Sequence, residues 1–403
     1  MTIGDPGRRQ PKRSPTYTCF VREIYLDHAS TTPPHPAALA AMSRAASDIW
    51  GDPSRLYRAA RVARIALDEA RAAVAAAVGG RPEEIVFTSG GTESCNLAIA
   101  AGARAAAAAR KPRRILVSAV EHTAVLEAAD ALDGFEVVRV GVDSSGRLDL
   151  DAWRDECARG AGLVSIQSAN QEVGTIQPVA EAAAAARQAG AIVHSDACMA
   201  VGRIPVDAKS LGVDLLSASG HKTYGPRGVG VLWARTGVRV RPVMVGDDRE
   251  RRRRAGIENL PAIAGLAAAL QARTAEIPGE MPRLHDLAGR LRRELPTLID
   301  DVQIHGDPDR CLPGLVAFSI LYLEGEALLL MLDGKGLAVH SGSSCVSSAQ
   351  EPSHVLAAMG ALTHGSVRVS LGRSSTEEDV DMFLKELPPI VARLRRIAEA
   401  GSA

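Results

Sequence analysis

Two stretches hold the residues best suited to chemistry. In Gly220-His221-Lys222-Thr223-Tyr224-Gly225-Pro226 a lysine stands where the apolar run VDLLSAS (213–219) ends, held between glycines instead of on a solvated helix face. An ammonium partly removed from water loses pKa and becomes a Schiff-base nucleophile. In AVHSGSSCVSSAQEP (338–352), Cys345 sits among serines and a glycine that cannot bury it. That composition reads as a surface loop. Intracellular cysteines are usually buried and inert, so a thiol held out on a polar loop asks for a reactive role.

Other residues gather where apolar runs end. EIVFTS (84–89) is followed by Gly90-Gly91-Thr92 at a helix start, where free N–H groups and the helix dipole suit a phosphate. Taken alone, such a Gly-Gly-Thr is more often just a turn. Asp196 closes AIVHSDA (191–197), and by itself would read as a helix N-cap or turn residue. His122, in VSAVEHTAV, could stack on a ring or shuttle protons, although a satisfied core histidine is the commoner case. Together, a phosphate cradle, a carboxylate, a lysine and a flat imidazole are what pyridoxal 5′-phosphate requires. The lysine would carry the cofactor, and the carboxylate would keep its ring nitrogen protonated as an electron sink.

The elements that must position these residues are legible in outline. Short apolar runs alternate with helical stretches such as RIALDEARAAVAAAV (64–78), which Gly79-Gly80 stops. This alternation argues for an α/β domain with a mainly parallel sheet, expected over residues 36–273. A smaller α+β domain is expected from 23–35 and 274–403, carrying the Cys345 loop, and residues 1–22 read as a disordered basic tail. The 403 residues hold 47 basic and 47 acidic side chains, which gives no sign of a nucleic-acid or anionic-membrane partner. No apolar run reaches the roughly 18 residues of a membrane span. Six scattered cysteines, with no C-x-x-C pair and no Cys/His cluster, argue against a disulfide framework or metal site. A reducing cytoplasm is the expected setting.

The stretches YLDHASTTP, VFTSGGTESCNLAI, EHTAVL, ANQEVGTIQP, HSDA, SGHKTYGPRGVG, SGSSC and VRVSLGR resemble the cysteine desulfurases of the class V aminotransferase family, in order and over nearly the whole chain after Glu23. SGHKxYGPxG with SGSxC resembles the branch with the longer catalytic-cysteine loop, associated with iron–sulfur cluster assembly and thiolation. The resemblance implies a PLP-dependent transferase of fold type I, aspartate-aminotransferase-like, working as a homodimer. It implies that Lys222 carries the cofactor, that Gly91, Thr92, Ser219 and His221 hold its phosphate, that Asp196 pairs with the ring nitrogen and that His122 stacks on the ring. Arg368 would bind the carboxylate of L-cysteine, with Asn170 also on the substrate. Cys345 would take the sulfur, leaving alanine and a persulfide for a sulfur-acceptor protein.

Several positions depart from that pattern. Gln171 stands where the family has a second asparagine touching cofactor and substrate, and Met199 replaces a glutamine that bonds the ring oxygen. Ile257 replaces a threonine that reaches the phosphate from the partner subunit. GDPSRLY, with Asp52 and Tyr57, replaces GNPSSxH. The arginines at 251–254 could compensate at the phosphate or simply form a solvated or interfacial basic face. Cys95 and Cys198 read as small apolar fillers. Two other readings stay open: a different PLP-dependent C–S lyase reaction, or a degenerate, non-catalytic partner of a desulfurase.

Overall fold

The computed structural model describes residues 23–341 and 352–401. Both the basic tail at 1–22 and Cys345 lie outside the described residues. In chain order the strands are β1 (Ile24–Tyr25), β2 (Ile85–Thr88), β3 (Arg114–Ser118), β4 (Glu136–Val140), β5 (Leu163–Ser165) and β6 (Ile192–Asp196). They continue as β7 (Leu215–Ser219), β8 (Gly230–Ala234), β9 (Val302–His305), β10 (Leu315–Ile320), β11 (Leu337–Ala338) and β12 (Ser366–Ser370).

Seven strands form one sheet in the order β2-β8-β7-β6-β5-β3-β4. It is mainly parallel; β8 alone runs against its neighbours β2 and β7. Strands β2, β5, β6, β7 and β8 are buried at every position. Helices cover both faces of such a sheet, so its strands read as unbroken apolar runs instead of alternating ones. Period two is still visible in where side chains go. Phe87, Leu116, Leu216 and Trp233 enter one core, whereas their neighbours Val86, Ile115, Leu215 and Leu232 enter the core on the other face.

A second core forms around the antiparallel sheet β12-β10-β9, where Phe318 and Phe383 meet edge to face at 6.5 Å. Helix Leu260–Leu298 joins the two: Leu260 to Leu270 pack in the large core, and Leu284 to Leu295 in the second. β1 pairs with β11, which ties the chain start to the second core. Among the described residues no helix is long and apolar enough to cross a membrane.

Candidate active site

Parallel strands in one sheet bring their carboxyl ends to a common rim, where open α/β sheets bind ligands. Here β2, β3, β6 and β7 each deliver a residue to that rim. One cavity of about 350 Å³ is lined by Gly91, Thr92, His122, Gln171, Asp196, Ser219, His221, Lys222 and Arg368. Asn170 is not brought into it. That side chain is fully buried, donates to the Val120 carbonyl at 3.1 Å and accepts from the Glu172 and Val173 N–H groups at 2.8 and 2.9 Å. A larger groove of about 660 Å³ lies at the opposite rim, between Arg104, Arg187 and Arg239.

One end of the cavity is built from small groups and unmet donors. Helix Gly91–Ala108 begins with no capping side chain, so its first N–H groups are left to an anion. Beside it, the buried Ser219 hydroxyl has no hydrogen-bond partner among the described residues. A Cβ on Gly91 would lie 2.6 Å from Cys198 Sγ and 3.1 Å from Ser219 Cβ, so only glycine lets the chain pass this close. His221 is held by Thr31, whose hydroxyl is 3.2 Å from Nδ1, while burial pushes the ring down to about 4. An uncapped helix start beside an orphaned hydroxyl fits a phosphate.

His122, Asp196 and Lys222 line the rest of the cavity. His122 caps helix Thr123–Asp130, its Nδ1 accepting from the Ala124 N–H at 3.0 Å, so the neutral ring carries its proton on Nε2. Burial, then the charge of Lys222, lowers its pKa and keeps the imidazole neutral. Asp196 accepts from the Cys198 N–H at 2.9 Å. Behind it lies Glu121, which burial and the nearby Asp196 charge push up to about 8. Near neutral pH, Asp196 therefore faces a mostly protonated acid. Sequence reasoning missed Glu121, although it sits next to His122 in EHTAVL.

Burial likewise lowers the Lys222 ammonium, moving it toward the free amine that a Schiff base needs. Among the described residues its Nζ has Met199 Sδ within reach, at 3.7 Å, a weak acceptor. A glutamine here would offer real hydrogen bonds. Met199→Gln is expected to tighten pyridoxal phosphate binding about 2- to 10-fold, the worth of one hydrogen bond. Titration of the cofactor-free chain followed by absorbance checks this, and unchanged or weaker binding would count against it.

Arg368, on β12, reaches the cavity from the second core. Its Nη2 donates to Asp27 Oδ1 and Ser30 Oγ, both at 2.7 Å, and its Nη1 to the Gln171 carbonyl at 2.8 Å. Its Nε is buried without a partner among the described residues. Asp27 and Ser30, absent from the expected site, belong to YLDHASTTP, so the motif was visible but its role was not. The arginines at 251–254 do not line the cavity. Arg251 and Arg253 donate to the Pro82 and Glu83 carbonyls, Arg252 pairs with Asp248, and Arg254 reaches the first turn of helix Gly91–Ala108 at Glu93 (3.0 Å). What anchors the run is Glu250, buried and held by two bonds from Arg71, at 2.6 and 2.8 Å, and one from the Phe87 N–H at 2.9 Å.

Residues 24–383 match the family described as Aminotransferase class-V. The chain belongs to the class V aminotransferase family. Within that family it is 42% identical over 382 residues to a cysteine desulfurase IscS of Dictyoglomus turgidum, covering 94% of this chain and 96% of the relative. It is 41% identical over 382 residues to a cysteine desulfurase IscS of Methanosarcina thermophila, covering 94% of each. Among solved structures it is similar to a NifS-like protein, with a TM-score of 0.86, 33% identity, and coverage of 92% of this chain and all of that one. The class V aminotransferases and cysteine desulfurases are PLP-dependent, and the fold seen here is their fold type I.

Proposed function

We propose that the chain is a PLP-dependent cysteine desulfurase that converts L-cysteine to L-alanine and leaves the sulfur on Cys345. The observation that carries this reading is the single cavity in which Lys222, His122, Asp196, Ser219 and Arg368 converge. Gly91, Thr92, Ser219 and His221 would hold the cofactor's phosphate, Asp196 its ring nitrogen, His122 its face and Lys222 its covalent attachment. When bound, pyridoxal phosphate supplies an electron sink that makes bonds at the substrate's carbons labile. The chain's own residues do the rest. Arg368 would orient the substrate carboxylate, and Lys222 would move protons at the substrate's carbons. In the net step the Cys345 thiolate attacks the substrate sulfur; an S–S bond forms, the C–S bond breaks, and the carbon takes a proton. Carbon is reduced as sulfur is oxidised, so no outside oxidant is required.

The ends of the stretch that contains Cys345 support this role. His340 pairs with Arg368 through backbone bonds of 2.6 and 3.3 Å, and Ser341 is buried. On the far side Ser353 Oγ donates to Glu172 at 2.5 Å, and the His354 ring lies 3.0 Å from the Glu121 carbonyl. Four residues extend at most about 14 Å, so Cys345 is tethered within that distance of Ser341.

The direct test supplies L-cysteine, pyridoxal phosphate and a thiol reductant, and measures both products. Alanine and sulfide in equal amounts support the reading; sulfide with pyruvate in place of alanine would sink it. Arg368→Lys is expected to raise KM for L-cysteine about 10- to 100-fold with a smaller change in kcat, because a lysine cannot reproduce the planar fork. An unchanged KM would remove Arg368 from substrate binding.

A second copy of the chain would cover an exposed apolar face. Trp50, Leu56, Tyr57, Val62 and Ile65 stand out beside Val243, Val245 and Ile257. Arg249 links the two segments through Asp52 at 2.8 Å and Glu258 at 2.5 Å. Clustered exposed apolar side chains mark interaction surfaces. Light scattering should report a dimer that Leu56→Asp with Ile65→Asp converts to monomer; a monomeric parent would refute this.

A further inference from the structure

In the cavity wall two thiols and a carboxylate meet. Cys95 lies in the second turn of helix Gly91–Ala108, Asp196 ends β6, and Cys198 follows in the turn beyond. Their ligand atoms all lie within 4.8 Å of one another, and all three residues are buried. All three also line the cavity, so the cluster is open on one side. Cys198 Sγ also stands where a Cβ of Gly91 would be, within 2.6 Å, which sets the cluster against the phosphate cradle.

Two sulfurs and a carboxylate oxygen are a donor set for a thiophilic divalent ion, and three protein ligands with a fourth position open is a common zinc arrangement. With Zn–S near 2.3 Å, tetrahedral donors stand roughly 3.3–3.8 Å apart. An inward shift of about 1 Å at most, within reach of small side-chain rotations, would close the site around an ion.

We propose that the cofactor-free chain binds one zinc-class divalent cation on Cys95, Asp196 and Cys198, with the fourth position facing the cavity. Each thiol releases its proton to solvent as its sulfur bonds the ion. Asp196 is the residue that the proposed function assigns to the cofactor's ring nitrogen, so ion and cofactor exclude one another. This exclusion rests on that reading; the metal site itself does not. A soft metal would thus hold newly made chain in a form that cannot load its cofactor.

The full chain, stripped of cofactor and kept anaerobic, is titrated with Co²⁺ and followed by absorbance. The expected result is one equivalent bound, with thiolate-to-cobalt charge-transfer bands that Zn²⁺ bleaches. Cys198→Ser and Cys95→Ser should each weaken Co²⁺ at least about 10-fold, while Cys345→Ala should leave the bands in place. Cys95→Ala and Cys198→Ala, with folding checked by circular dichroism, guard against a defect particular to the buried serines. Loading pyridoxal phosphate first should weaken Co²⁺ binding at least about 10-fold. Absence of charge-transfer bands, bands that survive the Cys95 and Cys198 substitutions, or bands lost in Cys345→Ala would overturn the site. Co²⁺ affinity indifferent to the cofactor would overturn the exclusion. None of these readouts uses desulfurase turnover, so failure of the metal site and failure of the proposed activity are told apart.

Discussion

Cys345→Ala is expected to cut alanine formation from L-cysteine at least about 10³-fold, the scale of removing an enzyme nucleophile, while cofactor uptake stays as in the parent. Substrate binding and proton transfer in the proposed mechanism use Lys222, His122, Asp196 and Arg368, and those residues are left intact. What disappears is the sulfur acceptor. Cys95 and Cys198 line the same cavity but cannot stand in for it. Contact with the other thiol and burial push the Cys198 thiol up, and the Cys95 thiol is raised as well, so both stay protonated and weakly nucleophilic. The parent, given L-cysteine without reductant, should become one sulfur atom heavier on the peptide that contains Cys345, as read by mass spectrometry. Turnover that survives Cys345→Ala, with sulfide released directly, would favour a C–S lyase over a desulfurase.

Lys222→Ala is expected to abolish covalent attachment of pyridoxal phosphate and to lower turnover at least about 10³-fold. The characteristic absorbance of the lysine-bound cofactor should be absent even when free cofactor is in excess. Stability should behave differently. Burial lowers the Lys222 ammonium, and the contact recorded for it is a weak one to Met199 Sδ at 3.7 Å. Removing a half-buried, poorly satisfied charge costs little, so the cofactor-free variant should melt at or slightly above the parent's Tm. A large fall in Tm would assign Lys222 a structural role, and retained turnover would remove it from the chemistry.

The sequence by itself determined much of what is local. Unbroken apolar runs separated by helical stretches implied a mainly parallel sheet, and the sheet carrying β2 to β8 has that form. Lys222, Asp196, His122 and Gly91 were visible because each lies just past the end of such a run. In a parallel sheet those ends share one rim, so nine of the expected residues line one cavity. The Ser/Gly surroundings of Cys345 pointed to a thiol on a polar loop, and that residue lies outside the described ones.

Only the tertiary structure decided which distant residues meet. Arg368 comes from the second core and is oriented by Asp27, near the chain's start, because β12 and the segment after β1 run side by side. Asn170 looked like a site residue, yet its amide is spent on its own turn and on Val120. Glu121 becomes a neutral acid only once Asp196 and a dry core surround it. Cys95 and Cys198, far apart in the chain, share a wall with Asp196 because helix Gly91–Ala108 packs against β6 and β7. Periodicity and turn chemistry act between neighbours in the chain and leave their mark in composition. Strand order and crossover path act between residues a hundred or more positions apart, and no short window of sequence records them.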